Sequence, residues 1–470
     1  LSVVANTWVL AGTCEPGAKA DPESEPLLIR NVHLLSMASG QSAILERHSV
    51  LIHRGKIARI APDADIPTPR DAMVVDGMGK YLLPGLIDAH VHIWDKPELS
   101  AYLASGVTTV RNASGMSFHL DYAREIATGC LKGPRLITTG PILNGPGPNT
   151  QPNHQQVKNA VQARAAVREQ YKQGYRHLKV YSNLSREAYR AILHEARRLG
   201  MTVMGHTPEG VRLAGIPDRK PFQIAFHEVL RDKLVSIEHM ESVVWHALYD
   251  KLDETKARAL ARDIALLQVA VTPTLVAHHN LVLVAKTRGQ YLQRPGVEWL
   301  NPFISELEQE TYKQWSSAAQ DGRSRHDAFY LRATKIFHEE GVKLLAGTDA
   351  GIFTNVPGQS LIDELKLLVS AGLTPLQAIE TATRNPASAL GMADRLGQIK
   401  EGFLADMILV DGNPSRDIAQ LQSVSGLVLA GKWHGAASLS QLKRQVAETS
   451  YENSRRQIMD GLKAQGSSLE

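Results

Sequence analysis

The sequence is poor in cysteine, in long apolar runs and in excess charge of either sign. Its 470 residues include two cysteines, Cys14 and Cys130, too few for a disulfide-stabilised scaffold. We expect free thiols and leave a single bridge between them open. No apolar stretch reaches the roughly 18 residues of a membrane-spanning helix, so none is predicted. The 52 basic and 48 acidic residues are mixed and leave a net charge of +4, without a basic run that would bind nucleic acid.

The N-terminal residues 1–26 differ from the rest of the chain. With 43% hydrophobic and 21% charged residues, the sequence as a whole is that of a folded protein. Residues 3–12 are mostly apolar, Thr13 and Cys14 follow, and residues 15–26 are polar. This pattern is similar to a secretory or lipoprotein signal remnant, and a plain N-terminal extension is the alternative. Export and a cytoplasmic location both stay open.

The remaining chain divides by its pattern of strands and helices. Residues 27–84 and 386–437 carry short strands and turns, residues 85–385 alternate strands with helices, and residues 438–470 have a helical pattern. The eight candidate strands of the middle region are 86–93, 107–111, 135–139, 177–182, 202–206, 236–239, 270–274 and 343–349. Eight such units predict an α/β fold, a (β/α)8 TIM barrel, with a small β-sandwich domain formed by both chain ends.

Two connections of the predicted barrel are long, at residues 208–235 and 275–333. Long loops in compact domains are usually functional or disordered. Because the second connection carries several aromatic residues, we expect it to be a folded lid.

Histidines and one aspartate stand where the predicted strands end. His90 and His92 share one face of their strand, because side chains alternate along it. His206 ends the strand TVMGH, His239 ends VSIEH, and Asp349 ends LLAGTD. An HxH pair alone is weak evidence, but barrel enzymes keep their sites at this C-terminal rim. Nitrogen and oxygen donors of this kind suit Zn²⁺ and similar divalent ions.

Lys179 lies within the predicted strand HLKVYS, on the face shared with Tyr181. An ammonium ion is costly to bury in a barrel. One solution is reaction with carbon dioxide to a carbamate, which is anionic and can bridge two cations. The alternative is a lysine whose ammonium reaches the rim or an acidic partner.

Taken together, these motifs resemble the amidohydrolase superfamily, in the branch of imidazolonepropionase-related and metal-dependent prolidase-like (Xaa-Pro or Xaa-Arg dipeptidase-like) enzymes. The motifs that carry the resemblance are LPGLIDAHVH, SGVTTVRNAS, HLKVYS, GHTPEGV, SIEHM, LAGTDAG and TPLQAIETATRNPASALGM, in that order. The resemblance implies that His90, His92 and Asp349 bind one metal ion and that His206 and His239 bind a second. It also implies that a carboxylated Lys179 bridges the two ions, which imidazolonepropionase itself, with one metal, lacks. Asn112, where relatives usually have aspartate, and the segment inserted after His206 depart from the pattern.

The predicted function is metal-dependent hydrolysis of a C–N amide bond in an N-acyl amino acid or dipeptide-like small molecule. Two divalent ions, expected to be zinc, would hold a bridging hydroxide, with Asp349 as general acid and base. Hydrolysis of a cyclic amide, lactone or ester on the same site is the alternative. A deaminase or a non-catalytic scaffold is less favoured, and a homo-oligomer is left open.

Three further residues are candidates for substrate binding. Tyr181 faces the lumen and could donate a hydrogen bond, or simply pack in the core. His154 could bind substrate or be a solvated loop histidine. Arg111 could hold a carboxylate or pair with an acidic neighbour. Glu238 is predicted to point away from the lumen, which excludes it as a ligand, and His278, His279 and His326 in the lid have no assigned role.

Overall fold

The computed structural model describes residues 25–38, 44–148, 150–212, 216, 219–318 and 320–467, apart from the side chains of residues 320–322. Most of the predicted N-terminal extension, including Cys14, therefore lies outside the described residues. Cys130 is disulfide-bonded, so the expectation of a free thiol at this position was wrong. None of the described helices is both long and apolar enough to cross a membrane.

The described strands are β1 (Leu27–Leu34), β2 (Leu45–His53), β3 (Lys56–Pro62), β4 (Met73–Asp76), β5 (Tyr81–Pro84), β6 (Leu86–Val91), β7 (Val107–Asn112), β8 (Arg135–Thr138), β9 (Ile142–Asn144), β10 (His154–Gln156), β11 (His177–Val180), β12 (Thr202–Gly205), β13 (Ser236–Glu238), β14 (Ala270–Thr272), β15 (Met407–Val410), β16 (Val424–Leu429) and β17 (Lys432–His434).

The described α-helices are α1 (Glu98–Ala104), α2 (Ser117–Ala127), α3 (Ala160–Gln173), α4 (Arg186–Leu199), α5 (Phe226–Arg231), α6 (Met240–Leu248), α7 (Glu254–Leu267), α8 (Leu275–Lys286), α9 (Pro302–Leu307), α10 (Gln309–Ser317), α11 (Gln320–Glu339), α12 (Gln359–Ser370), α13 (Pro375–Thr381), α14 (Arg384–Ala389), α15 (Ala436–Val446) and α16 (Tyr451–Ala464). Short 3₁₀ helices cover Asp63–Asp65, Gln290–Gln293, Val297–Trp299 and Ile418–Gln422.

Strands from both ends of the chain form one mixed sheet. Its order is β17-β16-β15-β5-β1-β2-β3, and β4 also pairs with β1. The two chain ends meet where β5 and β15 run antiparallel, with Leu82 opposite Leu409. Side chains of one face, including Ile29, Ile52 and Met407, form a separate apolar core. The structure therefore supports a sheet domain built from both ends, while a two-layer sandwich stays a prediction.

Parallel strands carry the middle of the chain. The sheet β6-β7-β8 and the sheet β10-β9-β11-β12-β13-β14 are parallel throughout. Single parallel bridges connect Thr139 with His177, Val271 with Leu344, and Val91 with Ala350. The first seven predicted strands are present. The eighth, 343–349, is an irregular extended segment that hydrogen-bonds β14 on one side and β6 on the other.

Helices α3 and α4 begin and end at residues that favour helix termini. Helix α3 starts at Asn159, whose side chain accepts the amide protons of Val161 and Gln162, and it ends at Gly174 in the left-handed conformation. Ser185 and Gly200 perform the same two functions for α4. Side-chain caps satisfy the amides that a helix start leaves free, and glycine takes a left-handed terminus without strain.

The lid and the C-terminal tail are both folded against the rest of the protein. The described residues of the connection 275–333 contribute to α8–α11 and to two short 3₁₀ helices, so this connection is folded, as predicted. Helix α16 packs Ile458 and Leu462 against Trp94 and Phe303. The helical tail therefore packs on both the segment that follows β6 and the lid.

Candidate metal centre

The six predicted ligands lie at one end of the parallel strands. His90 belongs to β6 and Lys179 to β11, while His92, His206 and His239 come directly after β6, β12 and β13. Asp349 lies in the extended segment after Leu344. Apart from the His90 side chain, which lies behind the others, all of them line one cavity of about 950 Å³.

The side chains of His90, His92 and Asp349 lie close enough to one another to form a single ligand cluster. The Oδ1 atom of Asp349 lies 2.9 Å from His92 Nε2 and 3.2 Å from His90 Nε2. One donor atom from each of the three residues falls within 4.8 Å of the others. This spacing allows a single divalent ion to be bound by all three.

His206 and His239 form the other part of the site. Their ring centroids are 4.3 Å apart, and His239 lies 4.7 Å from His90. His239 Nδ1 is 2.7 Å from the hydroxyl of Thr274, which leaves its Nε2 free to bind an ion. His239 and Thr274 both have positive φ, at 68° and 46°. Residues in such conformations are strained and often mark functional sites.

Lys179 lies next to His90, and its charge also acts on His206 and His239. Its side chain is 1% exposed, and Nζ is 3.0 Å from His90 Nε2. Burial lowers the pKa of Lys179 to about 8, against the opposing effect of the Asp349 and Glu238 charges. Burial therefore makes the uncharged amine more accessible near neutral pH than it is in an exposed lysine.

The protonation states and the unpartnered atoms fit a divalent metal. Burial lowers the pKa of His92 to about 4 and that of His239 to about 3, and it holds the pKa of His206 well below its usual value. These imidazoles are neutral and keep a free lone pair. Among the described residues, buried Nδ1 atoms of His92 and His206 have no hydrogen-bond partner. Burial opposes ionisation of Asp349, but the neighbouring histidines keep its pKa well below the usual range.

Glu238 lies beneath the site, and the prediction that it points away from the lumen was wrong. Its carboxylate is 2.6 Å from His90 Nδ1 and also accepts a 2.9 Å bond from Arg111. The positive φ of His239 interrupts the strand, so the alternation rule fails between residues 238 and 239. A carboxylate at Nδ1 fixes the tautomer whose Nε2 is free for a metal. The sequence signal that could have identified this pair was an acidic residue, Glu238, and a basic residue, Arg111, within two otherwise apolar predicted strands.

Arg111 pairs with its acidic neighbour and does not lie on the cavity wall. Its guanidinium also donates to the Ala89 carbonyl at 2.5 Å and to the Ser236 hydroxyl at 2.9 Å. With every side of the guanidinium engaged by protein, Arg111 supports the metal ligands from below.

Tyr181 and His154 both line the cavity. The Tyr181 ring lies 3.9 Å from that of His206 and 4.7 Å from that of His154. His154 Nδ1 accepts the backbone amide proton of Gln151 at 3.2 Å. Burial lowers the pKa of His154 to about 3, so the ring is neutral and its proton sits on Nε2. That N–H has no partner among the described residues and can donate to a ligand.

The rest of the cavity wall comes from residues shortly after β12, from α6 and from the lid. Arg212 pairs with Glu209 at 2.9 Å and stacks on Trp245. His278 and His326, which had no predicted role, are also on this wall.

Asn112 is the residue that departs from the family pattern. Its side-chain oxygen accepts the amide proton of Ile93, just after β6, at 3.0 Å.

Comparisons with known proteins agree with this geometry. The profile described as the amidohydrolase family matches residues 81–434. The imidazolonepropionase of Aeromonas salmonicida (strain A449) is 25% identical over 404 residues, which cover 82% of this chain and 90% of that protein. Solved structures of a Xaa-Pro dipeptidase with bound methionine (TM-score 0.67, 22% identity, covering 88% of this chain and 100% of that one) and of bottromycin amidohydrolase (TM-score 0.70, 24% identity, covering 90% and 91%) share the fold.

The family match confirms the expected amidohydrolase superfamily. The fold of the relatives implies a TIM barrel with an attached sheet domain. The cluster of His90, His92 and Asp349 provides the metal-binding character that the family implies. The chain belongs to the amidohydrolase family and is a metal-dependent hydrolase that acts on carbon–nitrogen bonds.

Proposed function

We propose that the protein hydrolyses the amide bond of an N-acyl amino acid or a dipeptide-like molecule with two divalent ions, expected to be zinc. The observation that carries the proposal is the buried Lys179 amine, which lies 3.0 Å from His90 and lines the same cavity as the His206–His239 pair. We further propose that the parallel strands and the segment 343–349 form a closed eight-stranded barrel over residues 85–385. The sandwich would then comprise residues 27–84 and 386–437.

In this proposal His90, His92 and Asp349 hold one ion, and His206 and His239 hold the other. Lys179 would carry a carbamate, whose anionic oxygens would supply ligands to the ions. The neutral Nζ would attack the carbon of carbon dioxide: an N–C bond forms, one C=O π bond opens to give the carboxylate, and the amine proton passes to water. The bound ions would supply Lewis acidity and a water of lowered pKa.

Asp349 is the proton carrier in the proposed reaction. Its carboxylate faces the cavity and is ionised in the resting protein. It can accept a proton as water attacks the carbonyl carbon and deliver that proton to the departing amine. Asp349 therefore has both a ligand function and a catalytic one.

Tyr181 and His154 are positioned to bind the substrate. The hydroxyl of Tyr181 and the Nε2–H of His154 are donors on the same wall of the cavity. They suit a carboxylate or carbonyl group of the substrate. The dipeptidase among the structural neighbours makes a dipeptide the first substrate class to test.

The test is amine release from a library of dipeptides and N-acyl amino acids by zinc-loaded protein. We expect turnover that a chelator abolishes and that zinc restores. A silent library with two bound metal ions would contradict the amide proposal and favour a lactone, ester or cyclic amide. The segment inserted after His206 would then be the structural reason for the difference from the relatives.

A further inference from the structure

The turn that carries Asp349 has an unusual backbone. Asp349, Phe353 and Thr354 have positive φ values of 57°, 52° and 63°, and Gly351 has one of 99°. For residues with a side chain this conformation is strained, and it persists only where the surroundings enforce it. Phe353 is on the cavity wall, while Thr354 is fully buried. Something outside the turn must therefore hold it.

The lid holds two successive amides of the turn. The carboxylate of Glu308 accepts the Phe353 N–H at 2.9 and 3.0 Å. The Tyr312 hydroxyl accepts the Thr354 N–H at 3.0 Å and donates its own proton to Glu308. A closed set of hydrogen bonds thus joins the start of α10 to the backbone four and five residues after Asp349.

A second contact from the lid holds the other side of Thr354. Arg294 donates to the Thr354 side-chain oxygen at 2.6 Å and also to its carbonyl oxygen. Asn280 donates to the side chain of the next residue, Asn355, at 2.8 Å. The Asn355 carbonyl in turn accepts the Gly351 N–H at 2.9 Å, so the contacts continue toward Asp349.

We infer that Glu308, Tyr312 and Arg294 are positioning residues, which fix the direction of the Asp349 carboxylate by holding the strained turn 349–355. The lid is then a structural part of the catalytic centre as well as its cover. The catalytic half of this inference rests on the proposed function, in which Asp349 transfers the proton.

The first test is Tyr312→Phe, which removes one hydroxyl from the closed set and keeps the ring. Hydrogen–deuterium exchange of the 349–356 backbone should become roughly tenfold faster or more, as expected for loss of a buried hydrogen bond. At saturating zinc, kcat should fall by about tenfold with KM unchanged, because the substrate wall is kept. Arg294→Met should give the same pattern from the opposite side of Thr354.

Tyr102→Phe is the matched control, because the Tyr102 hydroxyl is buried without a partner among the described residues. It should change neither exchange nor kcat. The inference would be overturned if the hydrogen–deuterium exchange rate of the turn were unchanged in both Tyr312→Phe and Arg294→Met. It would also be overturned if exchange became faster while kcat stayed at the wild-type value.

Failure of the proposed function would look different. If wild-type protein cleaves no amide, exchange of the turn and zinc affinity by chelator competition still report on the lid. A loosened turn should then weaken zinc binding, because Asp349 contacts both His90 and His92. Faster exchange with unchanged zinc affinity would contradict the positioning role.

Discussion

The two groups of proposed metal ligands differ in how many contacts with other protein groups hold them in place. His90, His92 and Asp349 are hydrogen-bonded or ion-paired to one another, with Glu238 below. His206 and His239 have neutral rings, and among the described residues neither has a carboxylate within ion-pairing distance. Within the described part of the chain, the Thr274 hydroxyl is the one hydrogen-bond partner of the His239 ring.

This difference indicates what the second group needs. The first group has the negative charge of Asp349 to balance a divalent ion, whereas the second has only neutral donors. A carbamate on Lys179 would bring the missing anion between the two. This difference between the two groups gives a physical reason for a buried lysine at this position.

Asp349→Asn should have the largest effect. The amide keeps the shape and most metal binding but cannot carry the proton, so kcat should fall by about 10³-fold. The measurement is steady-state turnover with metal content determined in parallel. Asp263→Asn, on the exposed surface, is the control and should be neutral. Near-normal turnover of Asp349→Asn would remove Asp349 from the mechanism.

Lys179→Met should separate the two ligand groups. Without the bridging anion, bound zinc should fall from about two equivalents per chain to about one, held by His90, His92 and Asp349. Elemental analysis after gel filtration measures this, with the exposed Lys172→Met as control. Retention of both equivalents would show that the second group binds its ion unaided.

Glu238→Gln should weaken the first group alone. The substitution removes the charge that orients His90, and loss of such a partner typically lowers metal affinity by about 10–100-fold. Chelator competition measures the affinity, and exposed Glu254→Gln provides the comparison. An unchanged affinity would mean that Arg111 and Glu238 serve only the stability of the core.

Glu364→Gln should have the smallest effect, through the second group. Glu364 accepts the amide protons of Leu275 and Val276, next to Thr274. Burial raises the pKa of Glu364 to about 8, from 4.5 in an unstructured chain. The native state keeps this proton while the unfolded chain loses it, so the free energy of unfolding falls as the pH rises from 4.5 to 8. Glutamine should flatten this dependence in urea denaturation of the chelator-treated protein; an unchanged slope would contradict it.

The residues that meet at the candidate metal centre could be predicted from sequence because each lies at or near the end of a strand. Alternation places His90 and His92 on one face, and apolar runs mark where His206, His239 and Asp349 begin the turns. The same rule failed for Glu238, because it assumes regular backbone and His239 has positive φ. Local pattern carries no information on such a break.

The supports of the site could not be predicted, because they come from distant parts of the chain. Glu308 and Tyr312 contact the turn after Asp349 from a connection whose path the sequence does not specify. Ser454 and Gln457 of α16 likewise reach Asp95 and the Trp94 carbonyl. Contacts between residues so far apart depend on tertiary packing, which periodicity and capping motifs do not encode.

The most direct test of the account is the number of metal ions bound per chain, measured together with incorporation of ¹³C-labelled carbon dioxide. We predict two equivalents of zinc and one labelled carbamate in the wild-type protein, with the label absent from Lys179→Met. One equivalent of metal and no label in the wild-type protein would contradict a two-metal centre bridged by Lys179.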